Sequence, residues 1–145
     1  MKITICSSAF FARESYELKK KLEEEGHVVF IYPKEVEISG RSVPIEEFYE
    51  MRKKELTEGL LEVKARLIEE HIKRIERSDA ILVLNLDKKG KEGYIGGNTF
   101  MEIAIAFYLG KKIFLWKEPS KDLPYYEEIM TMKPIIIRGD VKKVY

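Results

Sequence analysis

Residues 80–84 read AILVL, five apolar residues with no polar residue between them. A strand of a parallel sheet is covered on both faces and reads as a continuous apolar run, whereas a half-exposed strand alternates. This run therefore predicts a strand in the middle of a parallel sheet. Parallel neighbours need crossover connections, which are usually helices, so helical patterns are expected on both sides of it.

The rest of the chain has that alternation. The predicted elements are a strand at 2–6, a helix over 11–25 ended by Gly26, a strand over 27–32, the central strand, a helix over 99–109, a strand over 112–116, a helix over 124–131 and a strand over 134–138. We predict an α/β, doubly wound, flavodoxin- or Rossmann-like fold. Its five-stranded parallel sheet has the order 2-1-3-4-5, with helices on both faces.

The segment before the central strand is harder to interpret. Residues 34–44 have no clear period and contain Gly40 and Pro44, which predicts a loop, and such a loop could lie over a site. Residues 45–77 have a helical pattern that is interrupted near Gly59. One broken helix and two separate helices fit that pattern equally well.

Composition limits the classes of function. The 145 residues predict one domain, 1–145, and the net charge of +1 offers no broad field for a nucleic acid polymer or an anionic membrane. No run is long enough for a membrane span, and the N-terminal apolar run is interrupted too early for a secretory signal, so we expect a cytoplasmic protein. Many Lys, Glu and Ile residues, two Asn and no Gln are typical of a protein from a hot environment.

Metal and cofactor sites are not predicted. Cys6 is the only cysteine, so neither an internal disulfide nor a cysteine-based zinc site is expected. The two histidines and the scattered carboxylates match no metal-ligand spacing. The expected partner is therefore a small molecule bound without a cofactor.

The predicted topology places a ligand crevice beyond the carboxyl ends of the strands, where the strand order reverses. That crevice lies between the loop after the first strand and the loop at 85–98. Candidate substrate-binding residues in these two loops are Ser7, Ser8, Phe10, Asn85, Asp87, Tyr94, Gly96, Gly97, Asn98 and Thr99. Tyr94 could stack on a base, whereas Asn85 and Asp87 could instead form an ordinary turn.

The stretch GYIGGNTFME at 93–102 has two interpretations. Its glycines could leave room for a ligand beside the free N–H groups of a helix N-terminus, which attract anions. Alternatively, Thr99 and Glu102 could form a capping box, with the glycines shaping a long turn. Asn98 could likewise contact the ligand or be the N-cap.

A family resemblance bears on that choice. SDAILVL at 78–84, then Thr99, Glu102, AIA at 104–106 and GKK at 110–112, together with ITICSSAFF at 3–11, resemble the nucleoside 2-deoxyribosyltransferase superfamily. The resemblance covers most of the chain and is strongest over 78–115. It implies a nucleoside or nucleotide substrate, assembly as a homodimer or higher homo-oligomer, and Glu102 as the nucleophile that attacks the anomeric carbon of the sugar.

The chain departs from that family at three places. Gly96 stands where the transferases carry an aspartate and the monophosphate hydrolases a serine, and His71 stands where a second catalytic aspartate is expected. In the first loop, Ser7 and Phe10 replace the glycine and the arginine of the hydrolases. His71 could be a general acid or base, or a half-buried residue bonded to a backbone carbonyl.

Three hypotheses follow. The first is an enzyme that cleaves an N-glycosidic bond or transfers a base, with Glu102 and His71 as catalytic residues. The second is a non-catalytic nucleotide-binding module on the same fold. The third is a flavodoxin-like or interaction domain with no nucleotide role.

Overall fold

The computed structural model describes residues 1–145. The elements in chain order are β1 (Lys2–Cys6), α1 (Ala12–Glu24), β2 (Val28–Phe30), β3 (Glu35–Ile38), β4 (Arg41–Pro44), α2 (Ile45–Lys54), α3 (Glu58–Glu76), β5 (Ala80–Val83), α4 (Gly97–Tyr108), β6 (Lys112–Leu115), α5 (Tyr126–Thr131) and β7 (Ile135–Ile136). Short 3-10 turns lie at Ala9–Phe11 and Val141–Lys143.

Five of these strands form one parallel sheet with the order β2-β1-β5-β6-β7. The predicted α/β fold and strand order are confirmed, since β5 is the third strand of this sheet along the chain. All four residues of β5 are buried, as the unbroken apolar run predicted. The carboxyl ends of β1 and β5 are neighbours, with Cys6 opposite Val83.

Alternate residues of β5 pack into two hydrophobic cores, one on each face of the sheet. Ala80 and Leu82 pack with Leu18 and Leu22 of α1. Ile81 and Val83 pack on the other face with residues of α3, α4 and α5, namely Ile75, Ile103, Ala106 and Ile129. Each fully buried Leu or Ile contributes roughly 1.5–3 kcal/mol, so both faces anchor β5.

Residues 34–44 are not a loop, and that prediction is wrong. β3 and β4 form an antiparallel hairpin whose turn residues, Ser39 and Gly40, both have positive φ, as a tight two-residue hairpin turn requires. The buried face of the hairpin consists of Val36 and Val43, which pack against Phe48 of α2. Only a short stretch of alternation marks this face in the sequence, which is why the pattern indicated no strand.

The helical region after the hairpin consists of two helices. α2 ends at Lys54, and α3 starts after Thr57, whose side-chain oxygen accepts a hydrogen bond from the Leu60 N–H at 3.2 Å. Gly59 lies inside the first turn of α3 rather than at the break. The two helices and the hairpin share a third core that positions α2 beside the carboxyl ends of β1 and β5. None of the helices combines the length and apolarity that crossing a membrane demands.

Candidate active site

A cavity of about 210 Å³ lies at the carboxyl ends of β1 and β5, where the strand order reverses. The N-terminus of α4 forms one side of it, α2 and α3 form another, and the loop after β5 closes it. Nine of the twelve predicted site residues line this cavity: Ser7, Ser8, His71, Tyr94, Gly96, Gly97, Asn98, Thr99 and Glu102.

The other three predicted residues lie outside the cavity lining. The Asn85 side chain donates to the Lys117 carbonyl at 2.8 Å and accepts from the Lys117 N–H at 3.1 Å. Asp87 accepts from the Gly93 N–H at 3.0 Å and from the Lys117 Nζ at 2.8 Å. Both residues therefore brace the loop after β5. Phe10 is exposed beside the cavity, with the Lys88 Nζ 4.7 Å from its ring centroid.

The three glycines of GYIGG have two different structural roles. Gly93 has a φ of +65°, and a Cβ there would lie 2.0 Å from the Glu118 carbonyl oxygen, so only glycine fits. Gly96 has an ordinary extended backbone, and a Cβ at Gly97 would meet no atom within 4 Å. The last two glycines thus leave space at the cavity rather than adopt a special conformation.

The capping box at Thr99 is wrong, and so is Asn98 as the N-cap. α4 starts two residues earlier than predicted, with Gly96 as its N-cap, and the first helical hydrogen bond runs from the Phe100 N–H to the Gly96 carbonyl. Thr99 therefore lies buried within the first turn. The N–H groups of Gly97, Asn98 and Thr99 donate to no protein acceptor, which leaves them free at the cavity.

Glu102 lies at the inner end of the cavity with 6% of its surface exposed. Its Oε2 accepts from the Asn98 side-chain amide at 3.3 Å, and its Oε1 has no hydrogen-bond partner. Burial raises the pKa of Glu102 to about 7, against the opposing charge of Lys64. Close to neutral pH the carboxyl group is therefore balanced between its two protonation states.

His71 is a neutral imidazole in one tautomer. Arg74 Nη1 lies 3.3 Å from His71 Nδ1 and can only donate, so Nδ1 accepts and the proton is on Nε2. Nε2–H donates to the Ile5 carbonyl at 3.1 Å, the type of contact expected of a structural histidine. Burial, followed by the charge of Arg74, lowers the pKa of His71 to about 4. The 3.8 Å separation of His71 Nε2 and Glu102 Oε2 is therefore not a salt bridge at neutral pH.

Cys6, His71 and Glu102 come together although no sequence spacing links them. One potential metal-ligand atom of each lies within 4.8 Å of the others. His71 Nε2 carries the proton that bonds Ile5, and burial together with the nearby Glu102 raises the pKa of the Cys6 thiol. A metal needs a deprotonated thiolate and an imidazole nitrogen with a free lone pair, so a metal ion bound here would have to displace both protons.

Arg52 and Lys64 line the cavity and were not predicted from the sequence. Lys64 had a detectable signal, because it lies four residues after Leu60 and seven before His71, on the apolar stripe of α3. A charged residue at such a position indicates a role inside the fold. Arg52 had no comparable signal, since its placement depends on how α2 packs.

Comparison with known structures supports the fold. A 2-deoxyribosyltransferase from Bacillus psychrosaccharolyticus superposes with a TM-score of 0.54 at 17% identity, over 94% of this chain and 98% of that one. A CMP N-glycosidase from Clostridium botulinum gives a TM-score of 0.49 at 17% identity, over 98% and 93% of the two chains. No protein-family model and no curated protein matches the sequence. The first likeness confirms the nucleoside 2-deoxyribosyltransferase-like fold expected from the sequence.

Proposed function

We propose that this protein cleaves the N-glycosidic bond of a nucleoside or nucleotide, or transfers its base, with Glu102 as the nucleophile. One observation carries the proposal: a single carboxylate, with one oxygen unpartnered, lies at the inner end of a cavity at the strand-order reversal. The superposed Bacillus enzyme is a 2-deoxyribosyltransferase, which makes this chemistry the first to test.

The reaction builds positive charge on the sugar as the bond to the base breaks. A fixed carboxylate can stabilise that charge and then bond to the anomeric carbon, as in retaining glycosidases. The base leaves with the bonding electron pair and takes a proton from a solvent water molecule, and the attacking water or second base later returns a proton to solvent. Attack by water or by a second base on the same carbon then releases the sugar and restores the Glu102 carboxylate.

His71 enters this proposal in a restricted role. An imidazole with a pKa of about 4 does not supply a proton at neutral pH, and its Nδ1 lies against a cation. Its Nε2, 3.8 Å from Glu102 Oε2, already donates its proton to the Ile5 carbonyl. We therefore assign His71 as a positioning residue, a neutral imidazole fixed beside the nucleophile, rather than as a general acid.

Base release measured by chromatography tests the proposal. The substrates are a panel of ribonucleosides, deoxynucleosides and their 5′-monophosphates, assayed with and without a second free base. We expect wild type to release base and Glu102→Gln to lose roughly 10³-fold or more of that activity. Glu69→Gln, an exposed substitution on α3, is the matched control and should keep wild-type activity. Equal release by wild type and Glu102→Gln would sink the proposal.

A non-catalytic nucleotide-binding module is the second candidate. Two observations favour it: Gly96 presents no side chain near Glu102, and His71 is held neutral. A module would show a ligand-induced rise in melting temperature with no base release from any substrate. That pair of results would replace the enzymatic proposal.

Assembly as a homodimer or larger remains part of the proposal. The solvent side of α4 carries exposed apolar side chains, among them Met101, Phe107 and Tyr108, and no charged residue. An uncharged helix face is unusual in a chain that is 35% charged. Light scattering coupled to size-exclusion chromatography should give at least twice the chain mass, and Phe107→Glu should reduce it.

A further inference from the structure

The cavity is strongly basic although the chain as a whole is nearly neutral. Its lining holds four basic side chains and one acidic side chain, Glu102. The basic residues are Arg52, Lys64, Lys88 and Lys89, and none of them forms a salt bridge in the protein. No carboxylate of the protein therefore pairs directly with any of these four side chains.

The four cations are not equally free. Lys88 Nζ bonds the Tyr49 hydroxyl and lies 3.4 Å from the Ser8 hydroxyl, and it also lies over the rings of Phe10 and Tyr94. Lys89 lies 5.4 Å from the centre of the Tyr94 ring. These two lysines are thus partly engaged by the aromatic residues at the cavity rim.

Arg52 has donors that nothing in the protein uses. Its guanidinium lies 4.6 Å from the centre of the Phe48 ring, which holds it in place, and its buried Nε has no hydrogen-bond partner. A buried N–H without an acceptor costs about 1–3 kcal/mol, so an acceptor is expected there. A guanidinium offers a planar fork that matches two oxygens of a phosphate.

Lys64 adds a second unpartnered cation on the same side. It lies half-buried on the apolar stripe of α3 and makes no hydrogen bond. Burial, followed by the charge of Arg52, lowers its pKa to about 8, whereas Glu102 acts in the opposite direction. Two cations that repel each other in a partly dry site are stabilised when an anion binds between them.

We infer that the substrate of this cavity carries a phosphate monoester whose oxygens contact Arg52 and Lys64, so that it is a nucleotide rather than a nucleoside. This inference rests on the proposed function and narrows its substrate class. The charge fits, because a phosphate monoester carries about −1.5 to −2 at neutral pH. This negative charge balances Arg52 of α2 and Lys64 of α3, and Glu102 remains available to the sugar.

Calorimetric binding to Glu102→Gln tests the inference, because binding is then measured without turnover. The probes are the four deoxynucleosides and the four ribonucleosides, each compared with its 5′-monophosphate, and inorganic phosphate. We expect at least one monophosphate to bind about 30-fold more tightly than its nucleoside. Adding Arg52→Gln or Lys64→Met should weaken monophosphate binding roughly 10- to 100-fold each, as expected for hydrogen bonds to a charged group.

Matched controls separate a local contact from general charge loss. Arg66→Gln and Lys73→Met remove exposed basic residues of α3 that do not line the cavity, and they should leave the preference unchanged. Arg52→Lys should restore part of the preference. Circular dichroism melting confirms that each variant is folded, and Lys64→Met alone carries the test if Arg52→Gln does not fold.

Three outcomes would overturn the inference: equal affinity for nucleosides and monophosphates, a preference that survives both substitutions, or inorganic phosphate binding as tightly as any monophosphate. The last would mean an anion site without a nucleotide. Base release by wild type distinguishes this inference from the proposed function. A monophosphate preference without release contradicts only the function, and release from nucleosides as fast as from monophosphates contradicts only the inference.

Discussion

Two groups of residues at the cavity differ in the charge that they carry at neutral pH. We call Cys6, His71 and Glu102 the buried corner, and Arg52 with Lys64 the basic wall. In the buried corner, burial moves the pKa of His71 down to about 4 and that of Glu102 up to about 7, so both favour their neutral forms. In the basic wall, Lys64 keeps a pKa of about 8 and stays mostly charged at neutral pH.

This difference indicates that the basic wall favours the ionised form of Glu102 in the buried corner. Lys64 is the largest of the influences that lower the pKa of Glu102. A nucleophilic carboxylate must be ionised, and burial alone would leave Glu102 protonated well above neutral pH. The positive charge of the wall therefore keeps a dry carboxyl group close to its ionised state.

The largest expected effect concerns the stability of the buried corner above neutral pH. The folded pKa of Glu102 is raised, so the native state binds more protons than the unfolded state between about pH 4.5 and 7. The contribution of Glu102 to stability therefore falls as pH rises through that window, by a total on the order of 3 kcal/mol. Glu102→Gln should be more stable than wild type at pH 8, and the gap should close by pH 4. Urea unfolding at several pH values measures it, with Glu69→Gln as the control; a gap that is constant with pH would contradict it.

The second prediction concerns the other titrating group of the corner. The folded pKa of His71 is lowered, so its contribution is fully present above about pH 6.5 and is lost as pH falls towards 4. The contribution of His71 to stability rises with pH, whereas that of Glu102 falls. The two changes oppose each other, so wild-type stability should be nearly constant between pH 4.5 and 6.5. His71→Gln should remove one slope and expose a fall in stability with rising pH. The same unfolding series measures it. A free energy of unfolding that stays constant with pH in His71→Gln would contradict the opposed contributions of the two groups.

A smaller effect, on the pH profile of activity, tests whether the charge of the basic wall lowers the pKa of Glu102. Lys64→Met removes the charge that lowers the pKa of Glu102, so the midpoint of the rise in activity with pH should move upward. Activity at pH 6.5 should then fall on the order of a few-fold more than activity at pH 8.5. The control is Lys73→Met, which should keep the wild-type profile. An unchanged midpoint in Lys64→Met would mean that the two regions are independent.

The smallest expected effect comes from the space between the two regions. Gly97→Ala places a methyl group where no atom lies within 4 Å, so the free energy of unfolding should change by less than about 1 kcal/mol while ligand affinity drops. Gly93→Ala is the matched contrast, because its Cβ would overlap the Glu118 carbonyl and should destabilise the fold by more than about 2 kcal/mol. Thermal unfolding and calorimetry measure the two quantities. Similar destabilisation by both substitutions would contradict the division of roles among the glycines.

The sequence predicted the sheet because one strand is apolar on both faces and its neighbours alternate with helices. It also placed Glu102 and the glycine loop at the reversal point, since parallel topology brings the carboxyl ends of β1 and β5 together. The local capping pattern at Thr99 was misleading, because α4 begins two residues earlier, at Gly97. Local spacing alone cannot choose between two adjacent helix starts.

Lys64 had a signal on the apolar stripe of α3, but Arg52 of the basic wall could not be predicted in the same way. Its position depends on the hairpin β3–β4, whose turn places Ser39 at positive φ, an uncommon conformation for a residue other than glycine. Because the hairpin was not predicted, the sequence did not indicate what α2 packs against or which residues surround Arg52. Tertiary packing rather than periodicity brings this cation to the cavity.

The bracing of the loop after β5 also decides which side of the cavity can open. Asn85 and Asp87 both bond Lys117, and the Ser120 N–H donates to the Gly93 carbonyl, so two loops are fastened together at several points. A segment fastened in this way cannot swing as a separate gate. A movement that widens the cavity would therefore take place on the opposite side, where α2 is followed by the short link from Glu55 to Thr57.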